Sequence, residues 1–165
     1  MNRFPLFCMT LLLLMVSSTL SQDVSYKFDD TANFSKFKTY TWVYFKNIAP
    51  IDNLTDEQIK AAVDAALAQK GLMKVAGDSN ADLFIGYQTN EFIDEQFAEV
   101  PTSDASPRTI YTGKLSIGMY TPANHHLVWS GLASKTLDPK ANPQKRQKNL
   151  NKAVAKLLKN YPPSQ

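Results

Sequence analysis

The sequence predicts an α+β fold, a two-layer sandwich of a mainly antiparallel sheet with two helices on one face. Three observations predict it. Five segments alternate apolar and polar residues, or are rich in aromatic and β-branched residues, which is typical of strands. Two segments carry apolar residues at helical spacing. Most of the predicted strands follow one another directly, and only the two that flank the first helix are candidates for parallel pairing.

The composition fits one globular domain. The chain has 165 residues, of which 44% are hydrophobic and 20% charged. Its one cysteine excludes a disulfide framework and a four-cysteine zinc module. The net charge is only +3 and no nucleic-acid-binding motif occurs, which argues against a nucleic-acid partner.

The first half of the chain is predicted to form two strands and a helix. Residues 24–28 alternate apolar and polar side chains, and residues 38–45 are dense in aromatic and β-branched side chains. Thr55 and Gln58 match a capping box, which predicts a helix that begins there and ends at Gly71.

The second half is predicted to form three strands, of which the last two make a hairpin. A strand is predicted over residues 81–89. Residues 91–108 contain five acidic residues and two prolines without a clean period, and are predicted to form a long loop. Alternation returns over residues 109–119 and 127–133, and a turn at residues 121–124 joins these two strands into an antiparallel hairpin.

The last helix is predicted from its cap and its apolar stripe. Asn142 is expected to be the N-cap, with Pro143 at the first helical position. The helix is expected to end before Tyr161. The side chains expected to be buried are those of Leu150, Ala153, Val154, Leu157 and Leu158.

The first 21 residues have the organisation of a secretory signal peptide. Arg3 precedes an apolar run at residues 11–16, which small polar residues follow. The run is shorter than the roughly 20 residues that a membrane span needs, so we expect a cleaved signal peptide and no remaining transmembrane segment. Cleavage is expected before Gln22, which leaves a single domain over residues 22–165. Cys8 precedes the apolar run instead of following it, which argues against a lipoprotein. We therefore expect an exported protein that is periplasmic, associated with the outer envelope, or secreted.

Several segments match the motifs of one protein family in the same order. They are residues 34–42 (F-x-x-(F/L)-K-T-Y-x-W), 66–71 and 81–83 (L-x-x-K-G and A-D-L), 113–117 and 127–131 (its hairpin), and 153–163 (a closing helix with terminal Tyr/Phe-Pro-Pro). The chain therefore resembles the bacterial envelope family known as domain of unknown function 4136. The resemblance implies the fold and the compartment, and it brings no catalytic residues with it.

The candidate catalytic and metal-binding residues form no known pattern. His125 and His126 would point to opposite sides of a strand, and a zinc site needs three or four ligands. The carboxylates within residues 91–99 do not have the spacing of a calcium loop. A nucleophile elbow and a glycine-rich phosphate loop are both absent from the sequence. We predict that the protein is not an enzyme and uses no metal or cofactor.

Two features are candidate partner-binding surfaces. Tyr40, Trp42 and Tyr44 alternate along the second predicted strand and are expected to line an exposed aromatic face, unless the strand is buried on both sides. The last helix carries lysines on the side away from its apolar stripe, and it could meet an acidic envelope protein or an anionic membrane surface; the alternative is a solvated face. The lysines that we single out are Lys145, Lys152, Lys156 and Lys159.

These observations favour a non-catalytic exported protein of the cell envelope that acts as a protein-interaction module. One alternative is a small-ligand-binding domain whose cleft is roofed by residues 91–108. Another is a hydrolase that uses His126 and a carboxylate of that loop.

Overall fold

A computed structural model describes residues 23–44, 51–77, 81–96 and 108–163. The predicted signal peptide, Phe45 and most of the predicted loop lie outside these residues. The elements are β1 (Asp23–Phe28), a short 3-10 helix (Phe34–Lys36), β2 (Thr39–Trp42), α1 (Asn53–Ala68), β3 (Met73–Lys74), β4 (Leu83–Gln96), β5 (Arg108–Tyr120), β6 (Leu127–Leu137) and α2 (Pro143–Leu157).

The six strands form one open sheet in the order β1-β6-β5-β4-β2-β3. β1, β6, β5 and β4 pair antiparallel, whereas β2 pairs in parallel with β4 and with β3. Both helices lie on one face, where they contact each other. The predicted α+β fold is confirmed, and the parallel pairing occurs at the strand–helix–strand unit that the sequence indicated.

The core lies between the sheet and the helices. In the central strand β5, Leu115, Ile117 and Met119 are buried at every second position, as expected for a strand covered on one face. Val63 of α1 and Leu157 of α2 supply the helix side of this core, and both are buried. The alternation that predicted the strands is therefore the alternation between the core and the uncovered face.

Gly131 leaves room for the Trp129 indole and for the Leu157 side chain of α2. A Cβ atom at Gly131 would come within 2.5 Å of the Trp129 ring and 2.7 Å of the Leu157 side chain. Trp129 is 1% exposed, and its ring meets the Tyr161 ring edge-on with 5.7 Å between centroids. The Trp-x-Gly spacing in the hairpin motif therefore seats α2 on the sheet.

Asp82 joins the parallel strands at their start. Its carboxylate accepts hydrogen bonds from the N–H groups of Lys38 at 2.8 Å and Thr39 at 2.9 Å, and from the Thr39 hydroxyl at 2.9 Å. The Lys38 bond, followed by those from Thr39, holds the pKa of Asp82 below its usual value against the opposing effect of burial. The Ala-Asp-Leu motif thus fixes where β4 meets β2.

The start of α1 differs from the prediction. The N-cap is Asp52, whose carboxylate accepts a hydrogen bond from the Thr55 N–H at 2.9 Å. The predicted capping box at Thr55 is therefore wrong, because Asp52 already supplies an acceptor for the first turn. At the other end Gly71 adopts a left-handed conformation with a φ of 83°, as predicted for the stop.

β4 and β5 extend further than the sequence indicates. The strand predicted over residues 81–89 continues to Gln96, so the prediction of a loop that begins at residue 91 is wrong for residues 91–96. Glu91 pairs with Gly113, and Gln96 pairs with Arg108. Backbone hydrogen bonds between strands hold such a ribbon together, and they leave no apolar alternation in the sequence.

β2 and β3 also differ from expectation. β2 ends at Trp42, although the predicted strand continued to residue 45, and the Val43 N–H still donates to the Ile85 carbonyl at 2.8 Å. β3 has only two residues, which is too few for a periodic pattern to reveal.

Candidate functional site

The aromatic residues of β2 face α1 and do not form an exposed surface. Tyr40 is 1% exposed, and its hydroxyl donates to Asp64 Oδ1 at 2.7 Å. The Trp42 indole N–H donates to the same oxygen at 2.8 Å, while Lys74 forms an ion pair with Asp64 Oδ2 at 3.0 Å. The expectation that Tyr40 and Trp42 line an open aromatic face is therefore corrected. β2 lies beneath α1, and these two side chains attach the helix to the sheet.

Tyr44 is the one member of this predicted set that is strongly exposed, at 74%. It lies beyond the end of β2, with its ring 4.2 Å from the Lys60 Nζ atom and its hydroxyl bonded to that ammonium group. Asp56 forms an ion pair with Lys60 at 3.0 Å and accepts a hydrogen bond from the Tyr87 hydroxyl at 2.5 Å. Burial opposes ionisation of Asp56, but these donors outweigh it and hold its pKa below the usual value.

The lysines of α2 lie where the sequence predicted. Asn142 caps the helix by accepting a hydrogen bond from the Lys145 N–H at 2.8 Å, and Pro143 begins it. Val154 and Leu157 are buried against the sheet. The opposite side of the helix carries Lys145, Lys148, Lys152 and Lys156, and Lys159 follows in the turn after it. We call these five exposed lysines the basic face of α2.

Charge neutralisation on the basic face of α2 is partial. Lys145 forms an ion pair with Asp138 at 2.7 Å, and this contact is the main reason that the pKa of Asp138 is lowered. Within the described ranges, no carboxylate lies within 4 Å of the ammonium groups of Lys148 and Lys152. A shallow, open depression runs along this side of the helix, lined by Gln144, Gln147, Lys148, Asn151, Lys152 and Ala155.

His126 contacts a carboxylate that the sequence analysis did not pair with it. Its Nε2 atom lies 2.8 Å from Asp29 Oδ2, at the end of β1, and not beside an acidic residue of the predicted loop. Asp29 also accepts hydrogen bonds from the hydroxyl of Thr31 at 2.6 Å and from its N–H at 2.8 Å. His126 and Asp29 meet because β1 and β6 are adjacent in the sheet, and no local sequence pattern indicates this contact.

The described part of the chain contains ion pairs of Asp with Lys or His side chains and no cluster suited to a metal ion. There, no group of three or more His, Cys, Asp or Glu side chains is arranged to hold a metal ion. The His126–Asp29 pair is 53% and 21% exposed at its two side chains, so it forms a surface contact. Separately, none of the described helices is long and apolar enough to cross a membrane.

Comparison with known proteins identifies relatives by sequence family and by fold. A family model described as "Domain of unknown function (DUF4136)" matches residues 24–163. No curated protein shows a significant match. A DUF4136 family protein from Bacteroides thetaiotaomicron superposes with a TM-score of 0.58 at 17% identity, covering 86% of this chain and 96% of that chain.

Two further solved structures share the fold. PelC from Paraburkholderia phytofirmans, solved as a dodecamer, has a TM-score of 0.52 at 14% identity and covers 84% of this chain and 95% of its own. A PDZ domain protein from Parabacteroides distasonis has a TM-score of 0.57 at 16% identity and covers 87% of this chain. The present chain spans 37% of that protein's length. At these identities the similarity concerns the fold.

Proposed function

Because the chain belongs to the DUF4136 family, as its motifs indicated, and the function of that family is unknown, we propose that it is a non-catalytic, exported protein of the cell envelope that binds an acidic protein through the basic face of α2. One observation carries the proposal: five exposed lysines follow one side of α2 and the turn after it. No acidic residue follows Asp138 in the sequence, so the side chains of this segment carry a net positive charge.

The placement of the lysines favours binding over simple solvation. Lys148, Lys152 and Lys156 follow one another at intervals of four residues, where like charges destabilise a helix by about 0.2–0.5 kcal/mol per pair. A helix whose outer side served only solubility would gain from mixing both signs of charge. A surface of one sign instead attracts an oppositely charged partner over several ångströms and orients it.

A protein surface fits this face better than a membrane does. Helices that lie on a membrane insert an apolar side between the lipid headgroups. In α2 the apolar side is already used, because Val154 and Leu157 are 1% exposed beneath the helix. The outward side offers lysines and short polar side chains, which suit the carboxylates of an acidic protein surface. The dodecameric assembly of PelC supports protein association as a use of this fold.

The proposal is tested by capturing partners of the tagged protein from an envelope extract and weakening the basic face. We expect a specific protein to be retained at low salt and lost at high salt, because exposed charges are screened within about 3 Å at 1 M ionic strength. The variant Lys148→Glu/Lys152→Glu should weaken its binding by about tenfold or more, since each exposed ion pair contributes up to about 1 kcal/mol and reversal adds repulsion.

Matched controls separate the basic face from net charge. Lys36→Glu/Lys135→Glu changes the net charge equally but lies on the 3-10 helix and β6, so it should retain binding. Vesicles of anionic lipid supply the other arm. Binding to vesicles without a protein partner, or equal loss of the partner in both double variants, would contradict the proposal.

The two alternative functions are a hydrolase and a small-ligand-binding domain, and the structure bears on them differently. For a hydrolase, the 2.8 Å contact of His126 with Asp29 provides a base with an orienting carboxylate, although the carboxylate is not the expected one. Retention of the captured partner by His126→Ala would separate binding from this dyad. The small-ligand alternative depends on residues 97–107, which lie outside the described ranges.

A further inference from the structure

The two edges of the sheet are very different. At one edge, β3 has two residues. At the other, β1 has six residues, contains neither proline nor glycine, and is exposed at five of its six positions. Short edge strands resist pairing with other chains, whereas long regular ones invite it. β1 is therefore the edge at which another strand could join the sheet.

The hydrogen bonds to β6 determine which backbone groups of β1 point outward. Phe28 lies opposite Trp129, and the next N–H group, that of Asp29, donates to the Val128 carbonyl at 2.9 Å. This is the pattern of a non-hydrogen-bonded pair, so Phe28 directs its own N–H and C=O away from β6. By alternation, Val24 and Tyr26 do the same. Three donors and three acceptors thus line the outer edge of β1.

Two aromatic side chains of β1 provide apolar surface at the same edge. Tyr26 is 40% exposed and Phe28 is 39% exposed, and their rings stack with 6.3 Å between centroids. Both lie on the helix side of the sheet, because they are opposite Gly131 and Trp129. An added strand would cover part of these rings as well as satisfying the backbone groups.

The sequence of β1 is complementary to itself in one antiparallel register. Outward hydrogen bonds can join only Val24, Tyr26 or Phe28 of one copy to the same set in another. When the two strands are centred on Ser25, Val24 pairs with Tyr26, and Asp23 comes opposite Lys27 on both sides of the two-fold axis. A lysine in an edge strand normally discourages pairing, but here each lysine meets a carboxylate.

We propose that the outer edge of β1 pairs with β1 of a second copy of this chain, antiparallel and centred on Ser25, to form a symmetric dimer with one continuous twelve-stranded sheet. The contact is isologous, as in most homodimers. The two-fold axis is perpendicular to the sheet, so both copies carry their helices on the same side. The dimer would present two basic faces of α2 to the same side of the assembly, which increases avidity for an extended acidic partner.

The test is sedimentation velocity of protein expressed from the full sequence, measured over a range of concentrations. We expect a reversible monomer–dimer equilibrium. Lys27→Asp places like charges opposite each other twice and should weaken the dimer by about tenfold. The charge swap Asp23→Lys/Lys27→Asp restores both opposite pairs and should return the dissociation constant to within about threefold of the original.

A second variant tests the backbone contribution. Val24→Pro removes an outward N–H group and leaves the bonds between β1 and β6 intact, so it should abolish the dimer without unfolding the monomer. Circular dichroism of each variant confirms folding. A protein that stays monomeric at all concentrations, or a dimer that Lys27→Asp does not weaken, would overturn the proposal. Neither result depends on whether an acidic partner binds α2.

Discussion

At the residue scale, the carboxylates of Asp56 and Asp64 attach α1 to the sheet. Asp64 accepts hydrogen bonds from Tyr40 and Trp42 through one oxygen and pairs with Lys74 through the other. Asp56, in the first turn of the helix, likewise accepts a hydrogen bond from the Tyr87 hydroxyl and forms an ion pair with Lys60. Tyr40 and Trp42, which the sequence suggests as a binding surface, are therefore part of the contact between α1 and the sheet.

Asp64→Ala should destabilise the protein strongly. It removes the acceptor of the Tyr40 hydroxyl and the Trp42 N–H, and an unsatisfied buried polar group costs about 1–3 kcal/mol, so we expect a loss of about 2–4 kcal/mol in the free energy of unfolding. Urea unfolding measures this loss. Asp64→Asn is the matched control, because it retains a carbonyl oxygen and should lose less. A loss below about 0.5 kcal/mol for the alanine variant would contradict this role.

Asp29 should make stability depend on pH in acid. Hydrogen bonds from the Thr31 hydroxyl and amide, together with the His126 contact, lower the pKa of Asp29 from 3.8 to about 2. A carboxyl group whose pKa is lower in the folded state stabilises the fold above its unfolded pKa, and this contribution is lost as the pH falls through the folded pKa. Stability should therefore fall as the pH decreases from about 4 to about 2.

The measurement is the urea midpoint at a series of pH values across that window. Asp29→Asn cannot titrate, so its stability should fall less steeply than that of the parent. Identical pH profiles for the parent and Asp29→Asn would show that this carboxyl group does not contribute.

At the element scale, regular alternation was a reliable guide where one face of a strand is covered. The hairpin of β5 and β6 and the cap of α2 agree with the sequence analysis for this reason. The sequence does not reveal the extension of β4 to Gln96, because backbone pairing alone leaves no pattern of apolar residues. Nor does the sequence reveal the orientation of Tyr40 and Trp42. It depends on the strand order, which places β2 beneath α1, and alternation by itself does not say which side a helix will cover.

Leu157→Ala should show that α2 is packed firmly on the sheet. Leu157 is 1% exposed and reaches the space above Gly131, so truncation leaves a cavity that costs about 2–5 kcal/mol. Thermal or urea unfolding measures the change. Gln144→Ala, at an exposed position of the same helix, should change stability by less than about 0.5 kcal/mol. Equal effects of the two substitutions would mean that the helix is not docked as described.

At the scale of the whole molecule, the paired acidic side chains of α1 and the exposed lysines of α2 occupy different parts of the surface. Asp56 and Asp64 of α1 are paired at the contact with the sheet, while the basic face of α2 points outward. The sequence indicated this basic face correctly, since lysines opposite an apolar stripe must lie away from the core. It could not indicate the His126–Asp29 contact or the free edge of β1, because both follow from the order of strands in the sheet.

The proposed compartment makes a separate prediction at this scale. If the first 21 residues are a signal peptide, the protein recovered from the cell envelope should begin at or near Gln22. N-terminal sequencing of the native protein measures this directly. An intact leader on the mature protein would contradict export by this route.

The central claim, that the basic face of α2 binds an acidic protein, is tested most directly by site-specific photo-cross-linking in living cells. A photoreactive residue at Ala155, in the depression on the basic face, is compared with one at Leu132, which is 38% exposed on the uncovered face of the sheet. We expect a discrete adduct with another protein from position 155 only, and its loss in the Lys148→Glu/Lys152→Glu variant. An adduct from position 132 without one from position 155, or an adduct at 155 that survives charge reversal, would contradict the claim.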